Sequence, residues 1–589
     1  MLYLTSERVD ETALPENAAI TYLGTWVLPE EDLCNQKKKE IINYCYDDHD
    51  KLFLDFIYIK SLYNSILPII GQLLNEHHSL NWDSRSFKIF YGAWLHEYLP
   101  VIRERYQTIE MASQAKPSHS FILTDCNITL LDSEDFKKKI STDEYNHYLY
   151  SKIVKFIDHQ TYDNSYFFSK MGKQGTKRRN IKRLVKSTLK IFLLKNLQLI
   201  FNIFTRGAIA AVDRSYFSKI HFWQLIINSF PRITPIFHLP ILRPLGIKQE
   251  LGVRDKLHKV FNRQFSPRTE FEKFILQNLI YDMPLSFIES FKDVLLMSTH
   301  VNLTNKNYLS SNAILGNQIL QCAAANQMPS NRNLIIAQHG GAYGIAKWSM
   351  QEFYELDTAD RYISFGWARE KLTSISKISH PKLLLKNRAK RVRGFNVLYI
   401  TCAPSRYFNR NWSFPIAGNS IIDYYKNILV LLSALKPHLR KHISVRLAPS
   451  DSEYKVGVKF FLGGKIKLSK GNFYQELNAA SLVICDHNQT TLIESFSSNK
   501  PTIIVWNPDY TRVDKAAEPI FEDLARLGIF YSCHKKAAEF LNKILDEDAI
   551  NEWWEVPARQ DVVASFVKGY CKRNEQWISD YQKILKIDK

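Results

Sequence analysis

At 589 residues the chain is too long for one hydrophobic core, so two or three domains are expected. Apolar residues make up 45%, charged residues 23% and aromatics 13%, which excludes long disordered or low-complexity stretches. The formal charge of +19 points to an acidic partner: a phosphate-bearing substrate, nucleic acid or an anionic membrane surface.

The amino terminus, MLYLTSERVDETALPE, carries acidic residues where a signal peptide needs a basic start. Leu2–Leu4 and Ala18–Trp26 read as strands, followed by a helix over Leu52–Glu76. In Ser84–Tyr106 the aromatics Phe87, Tyr91, Trp94 and Tyr98 recur at helical spacing, which predicts an amphipathic helix. His96-Glu97 on that helix lacks a second ligand one turn on, because Pro100 stands there, so the pair is expected at the surface or rim. Another strand is expected over Ser120–Thr124. From Asn164 to Val212 there is no Asp or Glu and there are eleven Lys or Arg residues. A basic helix running into the apolar IFLLKNLQLIFNIF suits docking onto an anionic membrane face, and equally suits a buried helix with a solvated basic flank. No stretch reaches about 18 uninterrupted apolar residues, so no span is predicted. A cytoplasmic location, peripheral on the inner membrane, is expected.

Ala208–Tyr216 reads as a strand ending near Asp213, then a helix through Ile227, then turns at Pro231, Pro235, Pro240 and Pro244. Helices follow over Arg254–Tyr281, Leu285–Met297 and Asn312–Asn326. Leu334–Ala337 is a strand that ends on QHGGAYG, where three glycines within five positions allow a sharp turn and close approach to a ligand. His339 stands at the carboxyl end of that strand, where open α/β sheets bind ligands. The next helix carries Glu352 and Glu355. Ser349-Met350-Gln351-Glu352 is a capping-box pattern that gives Glu352 a local role, whereas Glu355 is free to face the glycine turn.

The basic run Lys382–Arg393 marks a boundary, which divides the chain into 1–390, a second α/β unit over 391–560 and a carboxyl-terminal helix over 561–589. In that unit Phe395–Thr401 is the first strand, and His442–Leu447 ends on Arg446-Leu447-Ala448-Pro449. Ser481–Cys485 ends on DHNQTTLIES, which opens a helix. Such a start binds phosphate through free amides and the helix dipole, and Glu494 lies on the same face as Thr490 and Thr491. Simple capping by Asn488 or Thr490 is the structural alternative. No phosphate loop, dinucleotide fingerprint or kinase signature occurs, and the eight cysteines form no C-x-x-C pair, so no zinc site or disulfide framework is expected and the compartment is reducing. Two α/β units joined by a linker fit an α/β fold of GT-B type, with two Rossmann-like domains facing a cleft.

LYLTS with AITYLGTW, FYGAWL (Phe90–Leu95), QHGGAYG with its E-x-x-E and FGW, and TTLIES with NKPTI occur in order over nearly the whole chain. Together they resemble a bacterial family of transferases found in O-antigen and capsule gene clusters, more distantly similar to retaining β-Kdo capsule glycosyltransferases. The resemblance implies a CMP-activated donor, either Kdo or a nonulosonic acid such as pseudaminic acid, and a glycan or lipid-linked acceptor. It implies no bound metal or cofactor. The related enzymes carry His-Pro where this chain has Ala448-Pro449, and Arg446 is expected to take over that contact. The expected catalytic residues are His339, Glu355 and Asp213. The expected donor-binding residues are Gly340, Gly341, Tyr343, Arg446, Pro449, Asp486, Thr490, Thr491 and Glu494. The opposing reading is a non-catalytic basic adaptor for membrane or nucleic acid. No RNP, KH, zinc-finger or helix-turn-helix signature accompanies the basic segment, so nucleic acid is not an expected partner.

Overall fold

A computed structural model describes residues 2–5, 19–27, 40–114, 119–120, 128–157, 181–214, 216–237, 247–369, 374–384, 395–402, 405–414, 417, 420–447, 467–469, 471–544 and 547–587. Pro449, residues 164–180 of the acid-free segment and 385–393 of the basic linker lie outside these.

Three sheets, all with parallel strands, organise the chain. The first is small: β1 (Leu2–Thr5), β2 (Ala19–Tyr22), β3 (Glu40–Ile41) and β4 (His119–Ser120), in the order β3-β2-β1-β4. The strand expected to reach Trp26 stops at Tyr22, and Thr25–Val27 forms a 3-10 turn. The second sheet contains β5 (Ala210–Asp213), β6 (Ile233–Ile236), β7 (Asn307–Ser310), β8 (Leu334–Ala337), β9 (Arg361–Ser364) and β10 (Ile375–Lys377). Its order is β10-β9-β8-β7-β5-β6, so the direction of travel reverses between β5 and β7. β6 corrects the expectation of turns around Pro235. A proline without an N–H is tolerated there because β6 is an edge strand.

The third sheet contains β11 (Val397–Ile400), β12 (Ile443–Arg446), β13 (Lys467–Leu468), β14 (Leu482–Cys485), β15 (Thr502–Val505) and β16 (Phe530–Tyr531). The order β13-β12-β11-β14-β15-β16 reverses between β11 and β14, the dinucleotide-fold arrangement. The strands read as near-continuous apolar runs because helices cover both faces, and β14 and β15 are fully buried.

A helical block supports the second sheet. Helix His49–His78 is long and apolar enough, by length and composition, to cross a bilayer. Its Ile59, Tyr63, Ile66, Ile70 and Leu74 have zero exposure, so its apolar face is spent on the protein core. The predicted helix from Ser84 is three segments: Ser84–Phe87, a π-helical turn Lys88–Gly92, and Ala93–Ser113. This block grips the helix Met350–Thr358. The His96 ring stacks on Tyr354 with centroids 4.0 Å apart, and the Tyr354 hydroxyl donates to the Lys88 carbonyl at 3.2 Å.

The proposed boundary at 560/561 falls inside one helix, Pro557–Tyr570. The last helix, Trp577–Ile584, returns to the second sheet: Trp577, Tyr581 and Ile584 share a buried cluster with Ala210, Val212 and Phe222. The chain therefore crosses between the two large sheets twice.

Candidate active site

The glycine turn after β8 is fixed from three sides. The Gln338 side chain accepts from the Phe365 N–H at 2.9 Å and the Trp367 indole at 2.8 Å, and donates to the Gly340 carbonyl at 2.7 Å. This ties QHGG to FGW. Gly344 has φ +71°, and a Cβ there would lie 2.4 Å from the Trp367 ring, so two independent reasons require glycine. On the third side the turn meets the other large domain. The Gly341 N–H donates to Thr490 Oγ1 at 3.0 Å, and the Ala342 N–H donates to the Asn488 carbonyl at 2.8 Å.

Glu352 holds the same junction, in a way the capping box did not predict. Ser349 does accept from the Glu352 N–H at 3.2 Å, so half of the box forms. The Glu352 carboxylate, however, accepts from the Gly344 N–H at 2.9 Å and pairs with Arg369. Arg369 also binds Asp514 of the other domain at 2.7 Å. A buried carboxylate takes the strongest donors within reach, and here a guanidinium outcompetes its own helix start.

Behind the turn, Glu355 has zero exposure. Its carboxylate accepts from Tyr343 at 2.7 Å, Gln351 at 3.1 Å and Tyr362 at 3.1 Å. Burial outweighs these three donors and pushes its pKa up to about 8. The His339 ring lies 3.3 Å from the Tyr343 hydroxyl and 3.3 Å from the Gln351 amide. Desolvation, with Arg410 and Lys137 adding like-charge repulsion, takes the imidazole pKa down to about 3, so it is neutral at pH 7. His339 Nδ1 is 3.9 Å from Glu355 Oε1, and the connection through Tyr343 is the shorter one.

A cavity of about 680 Å³ opens in front of this group, lined by His339, Gly340, Gly341, Tyr343, Glu352, Arg410, Trp412, Gln489 and Thr490. It lies between the domains. A neighbouring cavity of about 740 Å³ shares Ser349, Gln351, Arg410 and Trp412 with it, and continues to His96, Glu97 and Lys137. His96 is therefore not a surface residue: it is 3% exposed, with Glu97 bound to Lys137 at 2.8 Å beside it. Arg410 and Trp412 come from the loop after β11, and the first domain grips that loop. Arg105 donates to the Phe408 carbonyl at 3.0 Å, Arg406 to the Trp26 carbonyl at 2.7 Å, and Tyr407 to Asp143 at 2.7 Å.

The helix Thr490–Ser497 begins at Gln489 with no side-chain cap, so capping by Asn488 or Thr490 does not occur. Asn488 is fully buried, and neither of its amide atoms has a hydrogen-bond partner. A third cavity, about 470 Å³, lies at the carboxyl ends of β14 and β15 and is lined by Phe414, Tyr424, Asp486, Trp506 and Tyr510 among others. Asp486 accepts there from the Cys402 N–H at 3.0 Å and Tyr424 at 2.8 Å, and burial raises its pKa to about 7.

Of the predicted site residues, the structure brings His339, Gly340, Gly341, Tyr343 and Thr490 to one cavity wall. Glu355 stands behind that wall. Asp213, two strands away, accepts from Tyr308 at 2.6 Å and does not line the cavity. Thr491 faces His487 at 3.3 Å. Glu494 is buried, accepting from Tyr474 at 2.9 Å with Lys382 at 3.6 Å. Arg446 is paired with Glu476 through Nη1. Sequence reasoning missed Gln351, Arg410, Trp412 and Tyr216, whose ring is 6.4 Å from His339. The long basic and aromatic stretch RYFNRNW, directly after a first strand, was the available signal for two of them.

Two Rossmann-like sheets that face one cleft, with a carboxyl-terminal helix crossing back, define a two-domain α/β protein of GT-B type. The profile of the LIC12162 family of transferases matches residues 2–585, and the chain belongs to that family. Among solved structures it is similar to a trehalose-6-phosphate synthase, with TM-score 0.31 and 8% identity over 56% of this chain and 82% of that one. It is similar to a protein from Listeria monocytogenes described as a UDP-N-acetylglucosamine 2-epimerase, with TM-score 0.34 and 11% identity over 65% and 98%. It is also similar to the wall teichoic acid polymerase TagF, with TM-score 0.29 and 11% identity over 50% and 84%. No curated protein matches the sequence.

Proposed function

We propose that the protein is a glycosyltransferase that moves an acidic 3-deoxy-ulosonic sugar, a nonulosonic acid such as pseudaminic acid or Kdo, from a CMP donor to a bacterial capsule or O-antigen glycan. The observation that carries the transfer reading is the hydrogen-bonded chain His339–Tyr343–Glu355 at the wall of the interdomain cavity, beside an uncapped helix start. The choice of CMP and of an acidic sugar rests on the sequence resemblance.

In this reading the donor phosphate lies against the amides at Thr490, where the positive end of the helix dipole offsets the charge of the departing nucleotide. The nucleoside extends toward the aromatic cavity beside Asp486. The acceptor occupies the adjoining cavity, with Trp412 as an apolar wall and Glu97 and Lys137 as polar contacts. As the acceptor oxygen bonds the anomeric carbon and the phosphate leaves, the hydroxyl proton passes to the His339 imidazole. Tyr343 connects that imidazole to Glu355, which when ionised is the stronger base of the two. His339 is thus the catalytic residue, and Glu355 acts through it.

The test incubates the full chain with a panel of CMP-sugars and a lipid-linked glycan extract, monitoring CMP release and product mass. Ligand-dependent melting accompanies it. CMP release with a mass gain on the glycan, and stabilisation by CMP above UMP or AMP, are expected. Stabilisation by UMP alone would move the donor to another nucleotide. Stabilisation by none of these nucleotides, with no release, would favour the non-catalytic adaptor.

A further inference from the structure

Over residues 193–204 the helix Ile181–Phe204 has an inverted surface. Leu193, Leu199, Ile200, Ile203 and Phe204 are each between 50% and 65% exposed. Beside it, the helix Lys219–Ser229 and the residue after it expose Ile220 (70%), Trp223 (36%), Ile227 (70%) and Phe230 (50%). The two helices are held side by side by Phe201, whose ring lies 5.9 Å from Trp223 and 6.5 Å from Phe230. Spacings of three and four residues place 199, 200, 203 and 204 on one face, and 220, 223, 227 and 230 on another. Among the described residues sixteen large hydrophobics are exposed, and these nine fall within 38 positions of sequence. Scattered apolar side chains need no explanation; a cluster of this kind does.

Charge decides what covers it. From Asn164 to Gln249 the sequence has one acidic residue, Asp213, and that residue is buried. Lys195, Arg206, Lys219 and Arg232, around the apolar face, are exposed. A second copy seated symmetrically on this face would bring together two helix pairs that carry exposed cations and no exposed acidic residue of their own, and like charges oppose that. A nucleic acid would use the cations and leave the aliphatic side chains in water. An anionic bilayer satisfies both: its acyl boundary takes Leu199, Ile203 and Ile227, and its headgroups take the cations.

We infer that residues 193–204 of the first helix and the Lys219–Ser229 helix form an interfacial face that seats the protein on anionic lipid, inserted beside the headgroups without crossing the bilayer. The inference is independent of which donor the protein uses.

The test is co-sedimentation of the full chain with phosphatidylethanolamine vesicles, with and without phosphatidylglycerol. Binding to the phosphatidylglycerol vesicles is expected, falling by on the order of tenfold or more as salt approaches 1 M, where the screening length shrinks to about 3 Å. A Leu199→Ser, Ile203→Ser, Ile227→Ser variant should lose binding at low salt with its melting temperature unchanged. A Lys195→Glu, Arg206→Glu variant, which spares the apolar residues, should lose the preference for anionic lipid. Equal binding to both vesicle types, no binding to either, or wild-type binding by the serine variant would overturn the inference. So would a concentration-dependent dimer that the serine substitutions abolish, because a second copy would then be the occupant.

Discussion

Gly341 and Thr490, 149 positions apart in sequence, share a hydrogen bond of 3.0 Å that closes the glycine turn of one domain onto the helix start of the other. A Cβ at Gly341 would stand 2.2 Å from the Gln489 carbonyl carbon and 2.5 Å from the Thr490 nitrogen, both backbone atoms. At Gly340 the nearest atom to a Cβ is Thr490 Oγ1 at 3.3 Å, a side-chain atom. Gly341→Ala should therefore separate the domains, lowering stability by about 1–3 kcal/mol and removing most turnover. Gly340→Ala should do much less of both. Thermal melts and turnover of the pair check this, and equal effects would mean that the close approach does not matter.

Glu355 makes a prediction with a definite sign in pH. Its folded pKa, about 8, lies above its ordinary value of 4.5. A carboxyl raised in this way contributes stability that is fully present below about 4.5 and is lost as pH rises through about 8. Glu355→Gln, an isostere of the protonated acid, should flatten that part of the stability profile. If Glu355 is the final proton acceptor, turnover should rise with pH through about 8 and lose that limb in the variant, with nucleotide affinity unchanged. His339→Ala should abolish turnover at every pH. A turnover that instead falls through pH 8 would make Glu355 a proton donor.

Glu352 and Arg369 act as one unit across the domain junction. Glu352→Gln should cost about 1.5–3 kcal/mol, the range for hydrogen bonds to charged groups, and Arg369→Ala a similar amount. The double variant should cost less than the sum, because each single change already breaks the same pair. Ser349→Ala should cost about 0.5–2 kcal/mol separately, as a lost cap. Additive effects of the Glu352 and Arg369 changes in denaturant melts would contradict the coupling.

Arg446 is held through Nη1 by Glu476 and by the Gly471 carbonyl at 3.0 Å. That fixes the guanidinium beside β12, outside the residues that line the interdomain cavity. Arg446→Ala should weaken CMP binding by about 1.5–3 kcal/mol, and Glu476→Ala by less, since it only loosens the arginine. Calorimetric affinities that match wild type in the arginine variant would remove Arg446 from the donor site.

Much of this protein was legible in the sequence because the signals were local. Apolar runs of strand length announced β5, β8, β11, β12 and β14, and a histidine-glycine turn after β8 had to stand at a sheet's ligand-binding edge. The helix at Thr490 and the acid-free segment were equally plain, since composition and spacing act over a few residues. Local pattern does not choose partners. The S-x-x-E spacing allowed Glu352 to fold back on its helix, but a guanidinium 17 positions on offered a stronger bond. Glu355 was expected to face the glycine turn and meets Tyr343 there, but nothing local showed that Tyr343, Gln351 and Tyr362 would enclose it and that burial would then set its proton affinity. His96 looked like a rim residue until Tyr354 came to stack on it. Pro235 looked like a turn, because nothing in the sequence says that its strand will be an edge. Arg410 and Trp412 joined the site only when the first domain seized the loop that carries them. These outcomes depend on which surfaces meet across tens to hundreds of residues, and only the folded chain decides that.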